Sequence, residues 1–235
     1  MIKPEDVTII IPHLALETPE TKFALQQCLT SLKETVPGIK IILALNGIKK
    51  NIYMLPYFID GMQTIFVQDQ GQCKAVNAAA ATVNTPWIFV TNNDMIYAPG
   101  WFEKLSQNEQ DFKSFEGAGS ALRCISPQLV EPRQGAPTFL VHFAGGAGGD
   151  FDKQAFLNFA LAQEGKNFGK HKLRTGFNLP FLISKELWDT IGGYDINYDP
   201  WGSNSDSDLE YKIRLAGVQP YQNTNCLVYH FSQTS

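Results

Sequence analysis

The chain has 235 residues, 44% of them hydrophobic, and carries a formal net charge of -4 from 19 Lys and Arg against 23 Asp and Glu. That length and balance describe an ordinary globular protein able to bury a sizeable core, as one large α/β domain or two small ones. They exclude nucleic-acid binding as a first reading, because the Lys and Arg residues are scattered and show no basic surplus.

No apolar run approaches membrane-spanning length, and "MIKPEDVTIIIP" lacks a secretory apolar core followed by a small-residue cleavage site. A cytoplasmic setting is the expectation. Cys28, Cys73, Cys124 and Cys226 lie far apart with no C-x-x-C pair. They read as reduced, mostly buried thiols rather than zinc or redox ligands.

In chain order, "VTIIIP" is a first strand. "TPETKFALQQCLTSLKETV" follows as a helix, with Thr18 as N-cap, Pro19 at the first helical position and Phe23, Leu25, Cys28, Leu29 and Leu32 forming a core-facing stripe. "KIILALNG" is a second strand and "TIFVQDQG" a third; "QCKAVNAAAATV" is helical, "PWIFVTNND" is a fourth strand, and "WFEKLSQNEQ" is another helix. Apolar strands alternating with helices predict a mostly parallel sheet, buried on both faces and flanked by helices. Ligands gather at the carboxyl ends of such strands, where Asn46, Asp69 and Asn92-Asn93-Asp94 stand.

After about residue 115 the alternation loosens. "GAPTFLVHFAGGAGGDFDKQ" has strand character and then a Gly-rich region without G-x-G-x-x-G spacing, which predicts a flexible loop or hairpin near a substrate, or a plain linker. "NLPFLISKELWDTIGGYD" reads as strand, helix and glycine stop. "SDSDLEYKIRLAG" is a helix capped by Ser205 or Asp206 and ended at Gly217, and "NCLVYHFSQTS" is a closing strand.

The order of "VTIIIP", "NND", "LISKELWDTIGGYD", "WGSNSDSDLEYKIRLAG" and a late "YH" resembles the family 2 glycosyltransferases, over nearly the whole chain. The resemblance implies the GT-A fold, an α/β single domain over residues 1–235 with a Rossmann-like, mostly parallel central sheet. It implies a nucleotide-sugar-binding half over about 1–115 and an acceptor-binding half over about 116–235. The implied activity is inverting transfer of a sugar from a nucleotide-diphosphate sugar, a UDP-sugar first, to a hydroxyl of a glycan or other acceptor, with Mn2+ or Mg2+ as cofactor.

The residues support that chemistry on their own terms. A departing diphosphate gathers negative charge, and a hard divalent cation bound by oxygen ligands neutralises it. Asp94 is the one carboxylate in "TNNDM", while Asn92 and Asn93 offer amides to the cation or to sugar and ribose hydroxyls. The family motif is Asp-x-Asp, and Asn92 replaces its first acid; a plain strand-end turn is the competing reading of "NND". The resemblance adds His230, on the late strand, as second metal ligand, where a lone His also suits a structural role. Inversion needs a base for the acceptor hydroxyl, and the resemblance assigns it to Asp206, with Ser205 in place of the family's Glu. A helix N-terminus tends to keep such a carboxylate's pKa low. Asp208 reads as a helix-start carboxylate, and capping is the plain alternative for Asp206 as well.

The resemblance implies further contacts to the nucleotide and the acceptor. Pro12, His13 and Asn46 would meet the base. Asp69, Gly71, Lys74 and Asn77 would approach ribose and diphosphate, with Gly71 allowing close backbone approach and Lys74 facing phosphate or solvent. Asp195 would contact acceptor or sugar, or simply form a turn, and Trp201 would line the acceptor pocket or pack in the core. Two other classes stay open. One is a nucleotide-sugar or glycan-binding module that lost turnover, favoured by Asn46, Asn92 and Ser205 where the family often has acids. The other is a nucleotidyltransferase of similar outline, disfavoured because the chain start shows no Gly-rich, basic triphosphate loop.

Overall fold

A computed structural model describes residues 2–15, 18–47, 62–106, 123–133, 135, 139–166, 173–200 and 202–232. The expected elements form where their local signals stand. Strand β1 (Val7–Leu14) leads to helix α1 (Pro19–Thr35), whose N-cap Thr18 accepts from the Thr21 amide with Pro19 at the first position. Then come β2 (Lys40–Asn46), β3 (Met62–Val67), α2 (Gln72–Ala80), β4 (Trp87–Val90), a short β5 (Met95–Tyr97) and α3 (Trp101–Ser106).

Two elements of the later chain carry no clear sequence signal. Strand β6 (Cys124–Glu131) is buried along its whole length, and α4 (Lys153–Lys166) follows the two-residue β7 (Leu140–Val141). β6 is disguised by Pro127, a residue that cannot donate to a strand ladder. It is tolerated because the pairing of β6 with β10 shifts register just after Pro127 meets Asn223. The chain closes with β8 (Leu173–Thr175), β9 (Phe181–Ser184), α5 (Lys185–Ile191), α6 (Ser205–Leu215) and β10 (Tyr221–His230).

All the strands among the described residues join one sheet of ten, ordered β3-β2-β1-β4-β9-β6-β10-β5, with β7 on β6 and β8 on β10. The first four are parallel, as expected, whereas β9 runs antiparallel to both β4 and β6. Two reversals cancel, so β6 and its parallel neighbour β10 point the same way as β1 to β4. The carboxyl ends of these six strands, and of the short β7 parallel to β6, therefore share one edge of the sheet.

Alternation along the strands fills both faces. Val7, Ile9 and Ile11 pack with α1 and α3, while Ile10, Ile42 and Ala44 pack with α2, α5 and α6. β3 departs from the expected two-sided burial: it is the outermost strand in that order, and Phe66 is 60% exposed. A third apolar cluster joins α4 through Phe156 to Val130, Tyr229 and Phe231. The Gly-rich run is not a plain linker, since the Tyr229 hydroxyl accepts from the Ala144 amide at 3.1 Å and donates to the Gly145 carbonyl at 2.8 Å. All four cysteines are free and buried.

Candidate active site

The strand ends are tied together by polar side chains. The Asn46 amide, buried at the end of β2, donates to the His13 carbonyl at 3.0 Å and accepts from the Gly71 amide at 3.1 Å. Asn93, after β4, donates to His13 Nδ1 at 2.6 Å. His13, Asn46, Gly71 and Asn93 thus form one hydrogen-bonded floor beneath the ends of β1, β2 and β4. Pro12 is buried within β1, paired with Ala44. At the rim, Lys74 Nζ meets Asp69 Oδ2 at 3.0 Å, and Asp69 is largely exposed.

Beside this floor lies a charged triad. Asp94 precedes β5 and is 1% exposed, because β5 pairs with the end of β10 and brings His230 opposite Met95. Asp94 Oδ2 stands 3.3 Å from His230 Nε2, and His230 Nδ1 stands 2.7 Å from Glu131 Oε1 at the end of β6. Burial by itself would lower the His230 pKa. The attraction of Asp94 and the hydrogen bonds to Asp94 and Glu131 outweigh it and push it up to about 10. Glu131 carried no assignment from sequence, although it too is a carboxylate at a strand end.

Two donors of this kind suit a hard cation that completes its shell with water and ligand phosphates, the habit of Mg2+ and its relatives. Asp94 and His230 fit that use: His230 Nε2 is buried and faces an Asp94 carboxylate oxygen at 3.3 Å. A cage built wholly of protein is a different matter. No group of three or more His, Cys, Asp or Glu able to hold a metal occurs among the described residues.

The third constellation joins α6 to α2. Helix α6 begins at Ser205, but its N-cap is Asn204, in the left-handed region at φ 65° and with no side-chain cap bond. Neither Ser205 nor Asp206 caps it, contrary to the sequence expectation. Asp206 lies in the first turn, where Tyr194 Oη donates to its Oδ1 at 2.8 Å. Burial raises the Asp206 pKa above the ordinary carboxylate value and the Tyr194 bond offsets only part of that, so burial overrides the lowering expected of a helix start. Asp208, one turn into the helix, pairs with Lys212 at 3.7 Å.

Tyr194 is held in turn by Asn77, whose amide donates to the Tyr194 carbonyl at 2.8 Å and accepts from its amide at 3.0 Å. Asn77 thus ties α2 to the loop that carries Tyr194. Asp199 does the same by another route, accepting from the Cys73 and Lys74 amides at 2.9 Å each and so covering the amino end of α2. Gly71 is required there: its φ is +156°, and a Cβ would collide with the Asp199 carboxylate. Asp195 accepts from the Asn197 amide at 2.9 Å and starts a short 3-10 turn. Trp201 lies outside the described residues. Sequence reasoning missed Tyr194 and Asp199: the α2 groups that hold them sit more than a hundred residues away, and nothing local marks the Tyr194–Asp206 bond.

No protein-family model matches the chain, and no curated protein matches it by sequence. Among solved structures, the crystal structure of GalNAc-T7 with UDP, GalNAc and Mn2+ aligns with 95% of this chain at a TM-score of 0.63 and 15% identity. The fold is GT-A-like. The GT-A-like chain spans 43% of that structure's own chain. No helix among its described residues is long and apolar enough to cross a membrane.

Proposed function

We propose that the chain is a metal-assisted inverting glycosyltransferase of the family 2 kind. It would move a sugar from a nucleotide-diphosphate sugar, a UDP-sugar first, to an acceptor hydroxyl. The observation that carries the reading is the approach of Asp94 Oδ2 to His230 Nε2 at the carboxyl edge of the sheet. The UDP and Mn2+ in the GalNAc-T7 structure support the same donor class. Asp94 and His230 would hold Mn2+ or Mg2+, which supplies charge neutralisation for the departing diphosphate.

The chain's own residues do the rest. His13, Asn46, Gly71 and Asn93 form a preorganised floor for the nucleotide, with Pro12, Asn77 and Asn92 around it and Asp69 and Lys74 at its rim. Asp206 takes the acceptor proton on Oδ2 while Tyr194 steadies Oδ1. Its raised pKa makes it a stronger base than an exposed aspartate. The acceptor oxygen bonds to the anomeric carbon as the bond to the diphosphate breaks on the opposite side, which inverts that centre. Asp195 and Trp201 belong to the acceptor side in this reading, and residues 1–115 and 116–235 to donor and acceptor within one domain.

A binding module without turnover is the second reading. It is favoured by Asn46, Asn92 and Ser205 where acids are common, and by the Asp199 carboxylate already bonded to the α2 amides. The deciding experiment is a panel of nucleotide-sugars scored for binding and for donor hydrolysis, with and without Mn2+. Metal-dependent hydrolysis supports the enzyme, binding without any hydrolysis supports the module, and no binding at all overturns both.

A further inference from the structure

Strand β6 ends in a carboxylate that is 5% exposed, and a buried charge is costly unless it is paired. The pairing depends on an irregularity. β6 and β10 begin in one register, at Tyr221 opposite Ile125, and resume after a shift with Leu227 opposite Gln128 and Tyr229 opposite Val130. The shift brings the end of β10 level with the end of β6, so His230 arrives beside Glu131. Without it, His230 would overrun β6 and Glu131 would face a different residue.

Glu131 Oε1 takes His230 Nδ1, at 2.7 Å, and Nε2 is then turned toward Asp94. The two ring nitrogens lie on different edges of the imidazole, so Glu131 stands behind the ring and Asp94 in front. A carboxylate on Nδ1 fixes the ring's angle and holds the proton on that nitrogen, which leaves Nε2 as the edge turned toward whatever sits before it. Glu131 Oε2 lies against Gly135, where any Cβ would collide with it.

We infer that Glu131 is a positioning residue that aims His230 Nε2 toward a divalent cation shared with Asp94. The inference rests on the metal part of the proposed function and adds a residue to it. Glu131 touches neither donor nor acceptor; it acts through His230 alone.

The test is Mn2+ affinity, read from the electron paramagnetic resonance signal of free Mn2+, so it needs no turnover. Glu131→Ala should weaken Mn2+ binding about 10–100-fold, the usual effect of removing a histidine's outer partner. Glu131→Gln keeps an acceptor oxygen and should restore most of that loss. Glu131→Leu fills the same space and should match Glu131→Ala, which keeps the test intact if the alanine variant does not fold. In a His230→Ala background, Glu131→Leu should change nothing further, since its route to the metal is already gone. Wild-type affinity in both Glu131→Ala and Glu131→Leu, or an undiminished effect without His230, would overturn the positioning role alone. Absence of Mn2+ binding by the wild type would overturn both this inference and the metal site it builds on.

Discussion

The two halves of the sheet are built on different plans from similar material. In β3-β2-β1-β4 each strand is parallel to its neighbours and comes from the first 90 residues, so chain order and sheet order nearly coincide. In β9-β6-β10-β5 the strands are drawn from residues 95 to 230, β9 and β5 run against their neighbours while β6 and β10 are parallel, and one pairing shifts register. The first half provides Asp94, Asn93 and the floor of the site. The second provides His230, Glu131 and, beyond the sheet, Asp206. Each charged constellation spans both halves, so each tests whether they act as one site.

The largest expected effect belongs to the first half. Asp94→Ala should abolish donor turnover and lower nucleotide-diphosphate affinity chiefly when manganese is present. Equal affinities for wild type and variant at saturating manganese would separate Asp94 from the metal.

Next is Asp206→Asn, on the second half. Transfer should slow by about 10²–10⁴-fold with donor affinity nearly unchanged, the usual worth of a positioned base. Asp208→Asn, which removes only a first-turn carboxylate paired with Lys212, should slow transfer far less. Stability should move the other way. Burial raises the folded pKa of Asp206, so ionising it penalises the fold, fully above the raised value and not at all well below an unfolded aspartate's value of about 3.9. Asp206→Asn should therefore melt higher than wild type at neutral pH, with the gain fading as pH falls toward about 4. Melting curves of both proteins across that range check the sign.

His230→Ala tests the seam between the halves. It should raise the manganese concentration needed for half-maximal activity. It should also destabilise the metal-free protein, because Asp94 and Glu131 lose the cation between them. Breaking a buried ion pair costs about 3–5 kcal/mol. Denaturant unfolding without metal measures that loss, and a change below about 1 kcal/mol would mean that the two carboxylates are compensated in another way.

The smallest effect is expected at Asp199, which ties the second half's loop to α2. Asp199→Ala removes the acceptor for two helix amides and should cost about 0.5–2 kcal/mol, the range for a lost N-cap. An unchanged melting temperature would show that water serves those amides equally well.

The first half was almost fully readable in the sequence. The Thr18 cap, the Pro19 start and the β1 and β2 runs are local signals, and each formed where it stands. The second half was readable where local signals were strong, as in β9, α5 and the Gly217 end of α6, and silent at β5, β6, α4 and β8. Pro127 breaks the look of a strand, and it stands where the β10 pairing shifts register and beyond the end of the β9 pairing. Of the site, Asp94, His230 and Asp206 stood out by residue type and position, whereas Glu131, Tyr194 and Asp199 did not.

What the sequence determined by itself is therefore whatever depends on neighbours within a few residues: the periods of helix and strand, the caps, and the carboxylates and amides placed where strands stop. The tertiary structure alone decided which of those groups meet. Strand order puts His230 between Asp94 and Glu131, and packing of the 194–206 region on α2 joins Asp206 to Tyr194 and Asp199 to the Cys73 and Lys74 amides. It also decided the protonation tendencies, raising both His230 and Asp206. A pKa follows from burial and from charges within a few ångströms, and those are supplied by residues far away along the chain.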